Sequence, residues 1–125
     1  MKLFPFPKLN NDKFMEESYL WDNLSILNLK FRWFNNKIYL CEYLDNGLSN
    51  NMSELLKKNW ASHVFCSNLS LSIKKIPLKH RLRFCVRYYR YGIYGKVKIK
   101  ELFIKSNSKF LSVFAIPISL IKKVK

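Results

Sequence analysis

Hydrophobic positions along this chain change their period near its middle. From about Lys13 to Leu29, the residues Leu20, Leu24, Leu27 and Phe31 recur at steps of four, three and four, the spacing of one helix face. Glu16 and Glu17 would then lie near the positive end of that helix. Leu27 to Trp33 also alternates as a strand would, so the helix end stays open. Residues 1–12 form an extended arm in which Pro5 and Pro7 block helix and Asn10-Asn11-Asp12 closes the segment. Asn35-Asn36 reads as a turn, Lys37 to Tyr43 as a strand, and Asp45-Asn46-Gly47 as its end. A second helix is predicted over Met52–Ser62, with Asn51 as cap, Glu54 completing a capping-box-like start, and Leu55, Leu56 and Trp60 as its apolar side.

Beyond that helix the period becomes two. Leu69, Leu71 and Ile73 alternate with serines, and Leu82, Phe84, Val86 and Tyr88 alternate with Arg81, Arg83, Cys85 and Arg87. The second run predicts a strand, apolar on one face and carrying three arginines on the other. Tyr91-Gly92-Ile93-Tyr94-Gly95 supplies a turn, and Lys96–Lys105 and Phe110–Ile116 read as further strands. The expected fold class is α+β: two helices with a short N-terminal sheet, then an antiparallel β-rich basic C-terminal half. The expected organisation is an arm over 1–12, a helix-strand-helix lobe over 13–65 and a β lobe over 66–125, with no internal repeat.

Charge sharpens this division. The net charge of the 125 residues is +15, yet residues 1–62 hold eight Lys/Arg against seven Asp/Glu. Residues 63–125 hold fifteen Lys/Arg against the single acid Glu101, and Lys74 to Lys100 holds ten basic residues and no acid. Self-repulsion on that scale weakens an isolated fold, so a permanent polyanion is the natural partner. A membrane is the weaker candidate: no apolar run approaches the ~18–20 residues that span a bilayer, and the cations alternate as on strands rather than as on amphipathic helices. With 49% hydrophobic and 16% aromatic residues, the chain is a folding sequence and not a basic tail.

Phe, Tyr, Met, Ile, Asn and Lys make 60 of the 125 residues, Gly, Ala, Arg and Pro only 14, and Thr and Gln are absent. That bias is expected of an AT-rich gene such as organelle genomes and a few parasite or symbiont genomes carry. The opening Met1-Lys2-Leu3-Phe4-Pro5-Phe6-Pro7 is neither a signal nor a transit peptide, as suits a product made inside a mitochondrion. Cys41, Cys66 and Cys85 are odd in number and widely spaced, which argues against a disulfide framework. His63 with Cys66 and His80 with Cys85 lack a C-x-x-C partner, so neither pair reads as a zinc site. The N-x-S sequons at Asn23, Asn51 and Asn68 carry no meaning without a secretory signal.

Two histidines, few carboxylates in the basic half and no Gly-rich phosphate loop leave no catalytic constellation, and neither an enzyme activity nor a cofactor is expected. What remains is a binding surface. Lys74, Lys75, Lys79, Arg81, Arg83, Arg87, Arg90, Lys96, Lys98, Lys100, Lys105 and Lys109 are the expected RNA contacts, with Arg81, Arg83 and Arg87 on one strand and Lys96, Lys98 and Lys100 on its neighbour. Tyr89, Tyr91 and Tyr94 stand beside these charges as candidates for base stacking, and Tyr88 follows the apolar face. Gly92-Ile93-Tyr94-Gly95 before Lys96 resembles the G-x-x-G loop of KH domains, but such a loop joins two helices and a strand is expected here, so it reads as a hairpin turn.

Leu82-Arg83-Phe84-Cys85-Val86-Arg87-Tyr88 resembles the "L-x-I-x-L-K-Y" strand of the family of small-subunit ribosomal protein eight. Gly95-Lys96, Ile99, Leu102 and Ser106 keep the spacing of its "G-K-x-x-I-x-x-I-x-x-x-S" stretch, after a longer loop, and Ile116-Pro117 is similar to its "L-P" step. Upstream, Asp22-Asn23-Leu24-Ser25-Ile26-Leu27-Asn28 and Glu54-Leu55-Leu56-Lys57-Lys58-Asn59-Trp60 resemble its first and second helices. Glu42-Tyr43 stands where the family carries "P-x-S-K", and the chain stops at Lys125 without the family's "S-T-S-x-G" loop. Around Tyr91 to Ile99 there is a weaker similarity to the third small-subunit protein. The resemblance implies a structural protein of a mitochondrial small ribosomal subunit, held by its rRNA and by neighbouring ribosomal proteins, with no membrane and no small-molecule substrate. The alternative is a peripheral subunit of a mitochondrial respiratory complex, its basic half facing acidic partners or cardiolipin.

Overall fold

The computed structural model describes residues 4–9, 12–30, 32, 34–35 and 52–121. Among them are six helices and no strand: α1 (Ser18–Ile26), α2 (Met52–Lys58), α3 (Trp60–Ser72), α4 (Leu78–Tyr94), α5 (Ile99–Lys105) and α6 (Lys109–Ile121). The expected α+β class is therefore overturned: among the described residues, the half expected to be β-rich is built of helices joined by short turns. The expected strand at Lys37–Tyr43, its bounding turns, the Asn51 cap and Cys41 lie outside the described residues. The expected lobe boundary at 65/66 falls inside α3.

The reason lies in which residues form the inner faces. On α3 the buried positions are Ser62, His63, Cys66, Ser67, Ser70 and Leu71, pairs four residues apart. On α4 they are Cys85, Tyr88, Tyr89 and Gly92, and on α6 Leu111, Ser112, Ala115 and Ser119. These are helical stripes. They consist largely of serine, cysteine, glycine and alanine, so hydropathy does not reveal them. The leucines, valines and phenylalanines that alternate along 82–86 sit only half-buried at the margins. Small residues let helices approach closely, and several of the buried hydroxyls reach a carbonyl of their own helix, Ser70 sharing its contact with the Asp22 carboxylate of α1. Ser70 donates to the Cys66 carbonyl (3.1 Å), Ser112 to that of Ser108 (2.8 Å) and Ser119 to that of Ile116 (2.7 Å).

Helix α4 is the centre, packed along α3 on one side and α6 on another. Gly95 meets Trp60, Tyr91 meets His63 at 4.9 Å between ring centroids, and Arg81 Nη2 reaches the Leu71 carbonyl at 3.3 Å, so α3 and α4 run antiparallel. Cys85 Sγ lies 3.8 Å from Ser112 Oγ, and the Tyr88 hydroxyl donates to the Leu102 carbonyl at 2.9 Å. The core gathers Leu71, Cys85, Tyr88, Tyr89, Leu102, Leu111 and Ala115.

The two predicted N-terminal helices exist in altered form. The first is shortened to α1, because residues 12–16 are an extended strap bound to α3. The second breaks at Asn59, whose Oδ1 accepts the Lys13 and Phe14 amides (2.9 and 3.0 Å) while its Nδ2 donates to the Leu55 carbonyl (2.8 Å). Asp12 Oδ2 then accepts from the Ser62 amide and hydroxyl at 2.6 and 2.8 Å. The arm before the strap rests on α1, with Phe6 against Tyr19 at 5.5 Å.

Both α1 and α4 end in a Schellman arrangement. The Asn28 amide bonds the Ser25 carbonyl and the Leu29 amide that of Leu24, with Asn28 at φ 55°. After α4 the Lys96 amide bonds the Ile93 carbonyl and the Val97 amide that of Gly92, with Lys96 at φ 59°. The left-handed residue is thus Lys96 and not Gly95. Gly95 serves a different need: a Cβ there would lie 2.3 Å from the Trp60 ring. Opposite stability effects follow for these neighbours. Lys96→Gly should stabilise by about 0.5–1 kcal/mol by relieving the left-handed backbone, whereas Gly95→Ala should destabilise by about 1–3 kcal/mol through overpacking. Urea unfolding of the two variants checks both signs.

Candidate nucleic-acid interface

Recasting residues 78–94 as a helix redistributes the expected contacts. Lys79, Arg83, Arg87 and Arg90 are spaced four, four and three residues apart, which places them on one face of α4 over about 16 Å. Lys79 and Arg83 are exposed, and Lys74 and Lys75 extend the positive charge into the α3–α4 loop. Lys75 Nζ donates to Asn28 Oδ1 at 2.7 Å. Like charges four apart on a helix repel by about 0.2–0.5 kcal/mol per pair, and α4 contains no acidic residue to offset them.

Arg81 leaves the expected row. The helix turns it away from Arg83 and Arg87 and toward α3, where it is half-buried on the Leu71 carbonyl. Lys96, Lys98 and Lys100 are exposed but form no strand row: Lys96 closes α4, Lys98 precedes α5 and Lys100 lies in its first turn. They make a second positive region at the opposite end of α4 from Lys74 and Lys75. Lys105 is exposed, while Lys109 Nζ donates to the Phe103 and Ile104 carbonyls and sits over the Phe103 ring at 5.3 Å. Of the tyrosines, Tyr89 is wholly buried and cannot stack on a base; Tyr94 is exposed, and Tyr91 is half-buried beside His63 and Arg87. The G-x-x-G segment is the last turn and C-cap of α4, and its glycines serve packing: a Cβ on Gly92 would lie 2.5 Å from Leu102, and Gly95 abuts Trp60.

One cluster escaped the sequence. Glu16, on the strap, is contacted at Oε1 by both His63 Nδ1 and Arg87 Nη2, and those two nitrogens are 2.8 Å apart. The Arg87 guanidinium also lies 5.9 Å from the centre of the Tyr91 ring. His63 is fully buried, and burial pushes it down to about 4 although Asp12 pulls the other way. It is therefore neutral at pH 7, with Nδ1–H donating to Glu16 and Nε2 buried without a partner. Burial likewise lowers the Arg87 guanidinium from its ordinary value. The only prior signal was an acidic pair, Glu16-Glu17, which the helical reading assigned to a helix end.

Between α2, α4 and α6 lies a groove of about 440 Å³, lined by Leu56, Leu82, Arg83, Val86, Arg87, Arg90, Tyr91 and Ile118. A second surface is the outer side of α6, where Phe110, Val113, Phe114, Leu120 and Ile121 are exposed, Ile121 to 82%. Burial raises the thiols of Cys66, to about 11, and Cys85, so both stay protonated at neutral pH. No group of three or more potential metal ligands converges among the described residues, and no helix there is long and apolar enough to cross a membrane. No family model, curated protein or solved structure matches this chain.

The buried histidine gives stability a pH dependence of definite sign. Unfolded, His63 takes up a proton near pH 6.5; folded, it does so only near pH 4. The unfolded state binds more protons between those values, so stability falls as pH is lowered through that window, by about 3 kcal/mol at its lower end. Urea midpoints at pH 7 and pH 4.5 should show this loss in the wild type and a smaller one in His63→Gln. An equal loss in both would assign the effect to other groups.

Proposed function

We propose that this chain is a structural rRNA-binding protein of a mitochondrial small ribosomal subunit. The observation that carries the reading is the row of cations Lys79, Arg83, Arg87 and Arg90 along one face of α4, of which Lys79 and Arg83 are exposed, continued by Lys74 and Lys75. A rigid row of positive side chains matches a phosphate backbone, whose neutralisation relieves the repulsion within the row. Lys96, Lys98 and Lys100 give a second phosphate-binding region at the far end of the same helix. Binding is electrostatic and positional, with no turnover. The AT-rich composition supports a mitochondrial, organelle-encoded product. The RNA contact rests on the stripe, while the small-subunit assignment rests on the motif resemblance, whose expected strand is helix α4 here.

The exposed apolar side of α6 supports the other expected contact, with neighbouring ribosomal proteins. It carries five exposed large apolar residues and no exposed acid, a surface that RNA does not complement and a protein does. The same surface favours the second reading, a peripheral subunit of a respiratory complex, so the two must be separated by what releases the protein. Sedimentation of organelle lysate should place it with small ribosomal subunits, and RNase should free it. Co-migration with a respiratory complex, unaffected by RNase, would overturn the ribosomal reading.

On this reading the exposed cations of the α4 face carry the binding, and the inward-turned Arg81 does not. Changing Lys79 and Arg83 together to Ala should weaken RNA binding and lower the salt slope by roughly 0.7–0.9 per lost phosphate contact. Arg81→Ala should leave that slope unchanged. Fluorescence anisotropy across a salt series checks both variants, and a slope that responds to Arg81 alone would place the RNA face elsewhere.

A further inference from the structure

The groove between α2, α4 and α6 has a composition that neither a packed interior nor a phosphate-binding surface requires. Leu56, Leu82, Val86 and Ile118 supply aliphatic walls, while guanidinium groups, including those of Arg83 and Arg87, form its charged part. We infer that this groove receives one unpaired nucleotide from the bound RNA, its base against the aliphatic walls and its phosphate on Arg83. The inference rests on the RNA-binding reading given above.

Three observations carry it. The first is charge complementarity: the charged groups lining the groove are all cationic, so an anionic group with an apolar, planar body fits and a cation does not. The second is size. At about 440 Å³ the groove falls within the range of sites that enclose small ligands, large enough for one nucleotide and too small for a duplex, which could touch only its rim. The third is preorganisation. Glu16 holds the Arg87 guanidinium and Tyr91 lies beneath it at 5.9 Å, so a planar cation is already fixed in the wall. Unpaired bases stack on such planes, whereas paired bases do not present their faces. The groove also lies on the line of the α4 stripe, so RNA tracking Lys79 and Arg83 passes its mouth.

The test compares two short RNA hairpins, one fully paired and one carrying a single unpaired 2-aminopurine, bound to the full chain at low salt. The wild type should prefer the bulged hairpin by about fivefold or more, the range set by stacking one base, and the 2-aminopurine emission should change on binding. Val86→Trp fills the groove from α4 and Ile118→Trp fills it from the more exposed α6 side. Each should abolish the preference and the emission change while leaving affinity for the paired hairpin within about twofold of the wild type. Circular dichroism confirms that each variant keeps its helices, and Ile118→Trp carries the test if Val86→Trp does not fold. Equal wild-type affinity for both hairpins, or a preference that survives in a folded variant, would overturn the nucleotide site and leave the RNA-binding reading standing. Failure to bind either hairpin would overturn both.

Discussion

The close approach of α3, α4 and α6 through small side chains is the constraint on which this structure depends. Ser62, Ser67 and Ser70 on α3, Gly92 and Cys85 on α4, and Ser112, Ala115 and Ser119 on α6 are buried, with bulk added among them by His63, Leu71, Tyr88, Tyr89, Leu102 and Leu111. A serine hydroxyl buried without a bond would cost about 1–3 kcal/mol. Most of these avoid that cost by bonding a carbonyl one turn back, or in the case of Ser62 by bonding Asp12. Ser67 is the exception, buried with no partner for its hydroxyl. With backbones this close, the larger apolar residues are displaced to the margins, and on α6 to the outside. That displacement produces both the apolar walls of the groove and the exposed outer side of α6.

The same constraint explains what the sequence conceals. Hydropathy periods register leucine, valine and phenylalanine, and between Leu82 and Val86 these alternate because they pack, half-buried, on the margins of the core and not at its centre. The true stripe, Cys85, Tyr88, Tyr89 and Gly92, has helical spacing in residues of middling hydropathy. Helices were legible where their signals were conventional: Glu54 and Leu55–Leu56 for α2, and Leu20 and Leu24 for α1. The excess of charge was fully legible and its placement was not. Reading Arg81 and Arg83 as neighbours on one strand face puts them on one surface, whereas two residues along a helix subtend about 200°. The cluster of Glu16, His63 and Arg87 could not be read at all, since it joins residues far apart in sequence and is created by the strap.

Charge in this molecule is divided between two uses. Arg81 and Arg87 have been drawn inward, onto a carbonyl and a carboxylate, and stabilise the packing of α4 on its neighbours. Lys79, Arg83 and the lysines at both ends of α4 remain outside. Glu16 marks the transition: it comes from the near-neutral half of the chain and neutralises one cation of the basic half exactly where that cation enters the protein. The two halves seen in the charge distribution are therefore not two independent bodies, because the acidic groups of the first are built into the packing of the second.

The strap that brings Glu16 into place has a consequence for the order in which the fold forms. The α3–α4 hairpin closes over the short turn at 73–77, and its contacts need little loop closure. Asp12 with Ser62 and Glu16 with Arg87 join residues 50 and 71 positions apart, so their entropy cost is higher and they become favourable only once the hairpin stands. Loop closure therefore favours the hairpin first and the strap afterwards, and detaching the strap would break these contacts without unwinding α4. Were the strap to detach, His63 would lose its carboxylate partner and Arg87 its internal counter-ion, so the same carboxylate that tethers the fold also sets how much positive charge α4 presents.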